Sequence, residues 1–162
     1  MALCQVVLGL RVSEVANLRL DDIEWRTGIV RVNAGKVLRS RELPLPRQVG
    51  EALAQYLRDG RPPGRCRNVF VRHKGARGAP VSTALIRGVM RLAYRKVRDC
   101  AHLGGTHVLR HTAATRLLQH GASLKEIADV LGHRSLDTTT IYAKVDLPGL
   151  IDVALPWPEV RP

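Results

Sequence analysis

The chain has 162 residues, a length that suits one domain built around a single core. Its 26 basic residues, 21 of them Arg scattered along the chain, outnumber 14 acidic ones and give a formal net charge of +12, which is typical of a surface that binds phosphates. Three Cys without CxxC spacing argue against a disulfide framework or a zinc site, and the apolar opening at 1–10 is too short for a membrane span and lacks the basic start of a signal peptide.

The first half of the chain predicts two short helical segments followed by a small sheet. Met1–Leu8 is typical of the end of a buried helix, and Ser13 is placed to cap a short helix that runs through Leu18. Ile29–Asn33 alternates apolar and polar side chains as a strand does, and Arg41–Leu45 is a second strand candidate. A glycine-marked turn separates these two segments, so we expect them to pair as antiparallel strands.

The middle of the chain predicts two further helices with a loop between them. An apolar stripe at helical spacing marks the first helix, and its members are Val49, Leu53, Tyr56 and Leu57. The segment Arg61–Gly64, which contains two prolines, ends this helix. Asn68–Arg72 is one more short strand candidate, and Ser82 or Thr83 is expected to cap a long helix.

The last third predicts three helices separated by glycines. Thr106 is expected to cap the first helix, and Ser123–Glu126 forms a capping box that opens the second. Gly132 ends the second helix, and Ser135 is expected to cap the third, which contains Tyr142. Together these elements predict a mainly α fold with a small antiparallel β-sheet (α+β).

The same last third carries an ordered set of side chains suited to phosphodiester chemistry. The set comprises His107, Arg110, His133 and Tyr142. Because Arg110 follows His107 by three residues, both point from one helix face toward one spot. An Arg fork can bind two phosphate oxygens, histidines can move or share protons, and a Tyr oxygen can act as the nucleophile. Since a phenol has a pKa near 10, nearby cations and a base must favour its anion.

Together with two earlier motifs, this set resembles the tyrosine recombinase (phage integrase) family over residues 1–145. The motifs are Gly9–Glu14, which reads Gly-Leu-Arg-Val-Ser-Glu, and Gly35-Lys36 after the first strand candidate. The resemblance implies that Arg11 and Arg110 are the two phosphate-binding arginines. The remaining implied roles are proton transfer by His107, hydrogen-bond donation to the transition state by His133, nucleophilic attack by Tyr142, and protonation of the departing 5′ oxygen by Lys36.

Two of these assignments have alternatives in the sequence. Lys74, in a glycine-containing loop, is a rival to Lys36 for the general acid. Glu14 matches a family position that braces the catalytic cluster, but it could equally be a first-turn acid that stabilises its helix through the helix dipole.

The resemblance implies site-specific DNA recombination through a 3′-phosphotyrosyl intermediate, which needs no metal, ATP or other cofactor. The implied partners are double-stranded DNA and further copies of the chain in a tetramer on that DNA, with no membrane and no small-molecule substrate. The implied location is the cytoplasm of a prokaryote, at the nucleoid. Two alternatives are a degenerate or truncated recombinase fragment that binds DNA without recombining, and a non-catalytic helix-turn-helix module formed by Ser123–Leu131 and Ser135–Tyr142.

The resemblance predicts that the chain is divided into a catalytic domain and a C-terminal tail. Residues 1–145 are expected to form the catalytic domain, shortened at its start and without the separate helical DNA-binding domain that precedes it in full-length family members. Residues 146–162 form a tail with six large apolar side chains, which are Leu147, Leu150, Ile151, Val153, Leu155 and Trp157. Burying these side chains favours docking of the tail, either in cis on its own core or in trans on a neighbouring protomer.

Overall fold

A computed structural model describes residues 1–33, 40–97 and 105–133 of the chain. The α-helices are α1 Ala2–Val6, α2 Val12–Asn17, α3 Arg47–Gln55, α4 Thr83–Arg95, α5 His107–Gln119 and α6 Leu124–Leu131, and the strands are β1 Ile23–Glu24, β2 Ile29–Val32 and β3 Arg41–Pro44. The predicted fold class, mainly α with a small antiparallel sheet, is confirmed. No helix in these three ranges is long and apolar enough to cross a membrane.

The sheet has the order β1-β2-β3, and both of its strand pairs are antiparallel. Val30 lies opposite Leu43, and Val32 lies opposite Arg41. Because side chains two residues apart on a strand share a face, the buried Leu43 places Arg41 on the inner side of the sheet. β1 is a short strand that the sequence pattern does not predict.

Two apolar clusters hold these elements together among the described residues. The larger is formed by α1, α2, the sheet, α3 and α4, with Leu10, Val15, Val30, Val49 and Ile86 among its buried members. The smaller lies between α5 and α6 and contains Ala114, Ile127 and Leu131. Since α1 packs against α5 and α6 packs against β3, the small helical pair is fixed against the larger unit.

Several predicted helix ends are confirmed. Ser82 accepts a hydrogen bond from the Leu85 amide and so caps α4. The capping box of α6 is present, because the Ser123 hydroxyl accepts from the Glu126 amide and the Glu126 carboxylate accepts from the Ser123 amide. Gly132 ends α6 in the left-handed conformation, with φ of 63°.

Two predicted caps are wrong in detail. The helix assigned to a Ser13 cap begins at Val12 and has Arg11 at its N-cap position, where the Arg11 amide donates to the Glu14 carboxylate. Thr106 does occupy the N-cap position of α5, but its side chain makes no capping hydrogen bond. Its backbone is already helical (φ −88°, ψ −10°), whereas a capping side chain usually needs an extended N-cap residue.

The strand predicted at Asn68–Arg72 is also wrong. Asn68 forms an isolated bridge with Arg19, while Val71 forms one with Pro80. Because the two ends of the segment pair with different partners, no continuous ladder forms. The predicted helix that contains Tyr142 lies outside the described residues.

Candidate active site

A cleft of about 400 Å³ opens between the start of α2, α4, the first turns of α5 and the end of α6. The residues that line it are Leu10, Arg11, Val12, Ser13, Arg87, Thr106, His107, Arg110, His111 and His133. Four of the residues selected from the sequence, at positions 11, 107, 110 and 133, therefore meet at one place. Lys36 and Tyr142 lie outside the described residues.

Arg110 connects three parts of the chain at the base of the cleft. Its side chain is directed inward from α5, and the residue is only 7% exposed. Its guanidinium donates through Nη1 to the carbonyl of Gly9 and through Nη2 to the carbonyl of Leu131, the latter at 2.5 Å. Since two fixed acceptors define the plane of the guanidinium, Arg110 is held in one orientation.

Gly9 has a structural reason to be glycine. Its φ of 64° lies in the left-handed region, and a Cβ added there would lie 2.5 Å from Cδ2 of Leu131. Leu131 is fully buried, so this methyl group has little space into which it can move. The close approach brings the Gly9 carbonyl to Arg110, so the glycine that precedes Leu10-Arg11 helps to build the cleft.

We expect Gly9→Ala to lower the free energy of unfolding by more than Gly28→Ala does. Gly28 is a matched control, because it has a similar φ of 65° but nothing within 4 Å of an added Cβ. The control substitution costs about 1–2 kcal/mol for the left-handed backbone alone, and the contact with Leu131 adds an overpacking cost of about 1–3 kcal/mol at Gly9. Urea unfolding of both variants measures the difference, and equal losses would contradict this account.

Arg11 forms the wall of the cleft at the start of α2, and its side chain is 28% exposed. The backbone amide of Arg11 donates to Oε2 of Glu14 at 2.7 Å, and Nη1 donates to Oε1 at 3.1 Å. Its Nη2 reaches across to the carbonyl of Gly132 at 2.9 Å. The guanidinium is thus oriented by one carboxylate and one carbonyl while part of it still faces the cleft.

Glu14 is buried beneath Arg11, with 4% of its side chain exposed. Its two oxygens also accept from Arg41, with Nη1 to Oε1 at 2.9 Å and Nη2 to Oε2 at 3.0 Å. Burial raises the pKa of the Glu14 carboxyl, but the hydrogen bonds and charges of Arg41 and Arg11 outweigh burial and lower the pKa below 4.5. Glu14 therefore stays ionised at neutral pH, and it both caps α2 and binds two arginines.

His133 lies at the far wall of the cleft, directly after the left-handed Gly132. The His133 amide donates to the carbonyl of Ala128 at 2.9 Å, which fixes the backbone as it leaves α6. Burial, followed by the charges of Arg110, Arg11 and Arg41 and by His111, lowers the pKa of His133 from 6.5 to about 4. The imidazole is consequently neutral at neutral pH, with one ring N–H to donate.

The lowered pKa of His133 also has a consequence for stability. Between pH 6.5 and about 4 the unfolded chain binds a proton at His133 that the folded chain resists. The free energy of unfolding therefore decreases as the pH falls through this window.

Three basic residues in or beside the cleft were not selected as site residues from the sequence. His111 lies on the same helix face as His107, one residue after Arg110, and Arg87 reaches the cleft from α4. Arg41 lies behind the cleft on β3, where its side chain is 9% exposed. The rival Lys74 lies in an exposed loop and does not line the cleft.

The cleft combines cationic donors with neutral or titratable imidazoles around one space. Fixed guanidiniums are suited to the extra negative charge that develops on the non-bridging oxygens of a phosphorus under nucleophilic attack. The neutral imidazole of His133 can donate a hydrogen bond without adding a further positive charge. The arrangement is therefore suited to phosphoryl transfer on an anionic substrate.

Comparison with known proteins gives a consistent result. The sequence profile of the phage integrase family matches residues 1–147. The chain is similar to the candidate integrase/recombinase y4rA of Sinorhizobium fredii, with 48% identity over 158 residues that cover 98% of this chain and 38% of that protein. It is also similar to the tyrosine recombinase XerC of Thermodesulfovibrio yellowstonii, with 35% identity over 90% of this chain and 49% of that protein.

Among solved structures, the crystal structure of the XerH site-specific recombinase bound to a difH substrate, a pre-cleavage complex, has a similar fold. The TM-score is 0.73 at 25% sequence identity, and the match covers 98% of this chain and 46% of that chain. The chain thus spans about half or less of the length of each of these three proteins.

Proposed function

The chain belongs to the phage integrase family, the family of the tyrosine recombinases, and from this premise we propose that it cuts and rejoins DNA strands at specific sites. The observation that carries the proposal is the convergence of Arg11, His107, Arg110 and His133 on one cleft. These residues come from three different helical segments. A fold that only bound DNA would have no need to bring two arginines and two histidines to the lining of one cleft.

In the proposed reaction the Tyr142 oxygen attacks the phosphorus of a DNA phosphodiester. The new bond is a 3′-phosphotyrosyl ester, and the bond that breaks releases the 5′ oxygen of the neighbouring nucleotide. Lys36 donates the proton that converts this oxygen into a 5′ hydroxyl. Attack by the 5′ hydroxyl of a partner strand on the phosphotyrosyl ester then reverses the step, so the energy of the original ester is kept without ATP.

The residues of the cleft have separate roles in this step. Arg11 and Arg110 bind the non-bridging oxygens as their negative charge increases. His133, neutral because its pKa is about 4, donates a hydrogen bond to one of these oxygens. His107 lies exposed at the mouth of the cleft, where it can exchange a proton with the Tyr142 oxygen.

The charge of the chain supports double-stranded DNA as the partner. The net charge is +12, and α4 presents exposed Arg87, Arg91 and Arg95 at four-residue spacing, so they lie along one side of the helix. The XerH structure is bound to its difH substrate. We propose that several copies of the chain act together as a tetramer on such DNA, at the nucleoid in the cytoplasm, with the 146–162 tail docking in cis or in trans.

The alternative function is a recombinase fragment that binds DNA without cutting it. The chain spans 38% of the length of y4rA and 49% of the length of XerC. A helix-turn-helix module explains α6 and the segment after it, but it leaves the cleft without a purpose. Cleavage and binding must therefore be measured separately.

Trapping of a covalent adduct tests the proposal. The full chain is incubated in excess EDTA with a pool of nicked duplexes of randomised sequence. After cleavage beside the nick, the short strand that carries the 5′ hydroxyl diffuses away, so the step cannot reverse. We expect a DNA–protein adduct that survives denaturation, because the guanidiniums stabilise the negative charge that develops on the non-bridging oxygens during attack. Retarded DNA without any adduct would support the binding-only fragment. Loss of the adduct in EDTA with recovery on addition of magnesium or zinc would overturn the proposed mechanism.

A further inference from the structure

Three arginines converge on the C-terminal end of α6. The carbonyls of three consecutive residues, Val130, Leu131 and Gly132, each accept a hydrogen bond from a different guanidinium. The donors in the same order are Arg41, at 2.7 Å, Arg110, at 2.5 Å, and Arg11, at 2.9 Å. The last carbonyls of a helix lack partners within the helix and lie at the negative end of its dipole, so cations are favoured there.

Arg41 differs from the other two arginines because it does not line the cleft. All of its named hydrogen bonds point into the protein. Nε donates to the Val130 carbonyl, while Nη1 and Nη2 donate to the two oxygens of Glu14. One rigid fork therefore connects β3 to the end of α6 and to the start of α2.

The same contacts lead to two residues of the cleft. The Glu14 oxygens that bind Arg41 also bind the amide and guanidinium of Arg11. On the other side, the Arg41 guanidinium lies against Gly132, where an added Cβ would be 2.8 Å from Nη1, and Gly132 directly precedes His133. Arg41 is thus connected to Arg11 through Glu14 and to His133 through Gly132.

A purely stabilising role would not explain this arrangement well. Burying an ion pair costs desolvation free energy that often cancels its attraction, so the Arg41–Glu14 pair contributes little net stability. What the pair does fix is geometry, because a bidentate pair with a third hydrogen bond allows only one orientation.

We propose that Arg41 is a positioning residue that holds Arg11 and His133 in their cleavage geometry without contacting the DNA. The inference rests on the proposed function for its effect on cleavage, but its structural part can be measured without DNA.

The variants that test it are Arg41→Lys and Arg41→Gln, with Arg31→Gln as the matched control. Arg31 lies on the neighbouring strand β2 and forms an exposed ion pair with Glu42, so it shares the sheet but not the cleft network. Arg41→Lys keeps a positive charge beside Glu14, so the buried carboxylate keeps a partner and the fold is expected to survive. It loses the fork, however, and cannot hold Glu14 and Val130 in the same way.

The first measurement is the NMR titration of His133 in the full chain without DNA. We expect a midpoint near 4 in the wild type and in Arg31→Gln. In Arg41→Lys and Arg41→Gln the midpoint should move upward toward 6.5, the ordinary value. Without the Arg41 fork the end of α6 is held less firmly, so the His133 imidazole becomes less buried. A shift in Arg41→Lys cannot come from loss of charge. A wild-type midpoint in this variant would overturn the inference.

The second measurement is single-turnover cleavage of the trapping duplexes at saturating protein and below the melting temperature of each variant. We expect a decrease of about 100-fold for both Arg41 variants, as for a small misplacement remote from the reacting atoms, with unchanged DNA affinity. A lower melting temperature together with wild-type cleavage and titration would mean a structural role only and would also overturn the inference. If the wild type itself forms no adduct, the proposed function fails, whereas the titration still decides the role of Arg41.

Discussion

Tyr142→Phe is expected to form no denaturation-resistant DNA adduct, because Phe lacks the oxygen that would bond to phosphorus. The resemblance to the family assigns the role of nucleophile to Tyr142, which lies nine residues after His133. Neither of the other two tyrosines lines the cleft. Tyr94 is buried on α4, and the Tyr56 hydroxyl lies 3.4 Å from the His73 ring beside a separate apolar cavity. The expected effect is therefore complete loss, not a reduced rate.

Tyr56→Phe is the matched control for this prediction. It removes the same atom from a residue that does not line the cleft, and the hydroxyl it removes has only long contacts. We expect this variant to form the adduct at the wild-type level. Denaturing gels of labelled duplex measure both variants, and an adduct that persists in Tyr142→Phe would show that another residue is the nucleophile. DNA retardation in the same samples verifies that each variant still binds.

The parts of this site that depend on local spacing could be predicted from the sequence. His107 and Arg110 are three residues apart on a helix, so one helix turn brings both to one face. The capping box at Ser123 and the glycine at position 132 define α6 because each acts within a few residues. The antiparallel pairing of β2 with β3 followed from alternation and a short connection.

The parts that depend on tertiary contacts could not be predicted in the same way. Nothing local separates Arg41 from the other 20 arginines of the chain, since its partners are Glu14 and Val130, far away in sequence. One signal does exist. In a strand of period two, Arg41 shares the inner face with Leu43, and a charged residue on a buried face needs a partner. The incorrect strand at Asn68–Arg72 has the same cause, because its two ends pair with different remote residues.

Replacing the cleft arginines by lysine should separate catalysis from binding. Arg11→Lys and Arg110→Lys keep the charge but lose the planar fork, which binds two phosphate oxygens and is itself oriented by the carbonyls of Gly132 and Leu131. We expect each to lower the single-turnover rate of adduct formation by about 10²–10³, the usual cost of removing one preorganised donor. Because Arg110 also supports the fold through Gly9, the more exposed Arg11 variant is the cleaner test.

DNA affinity should fall much less than the rate in both variants, because many of the 26 basic residues share the electrostatic attraction to phosphates. Arg87→Lys is the matched control, since Arg87 lines the same cleft from the exposed side of α4 and no fork geometry fixes it among the described residues. The Lys ammonium should therefore replace the Arg87 guanidinium with little change in the rate of adduct formation. Titration of labelled duplex gives the affinity, and single-turnover adduct formation gives the rate. If rate and affinity decreased equally in Arg11→Lys, Arg11 would be an ordinary phosphate contact, and the electrostatic stabilisation proposed for this cleft would have to come from Arg110 and His133.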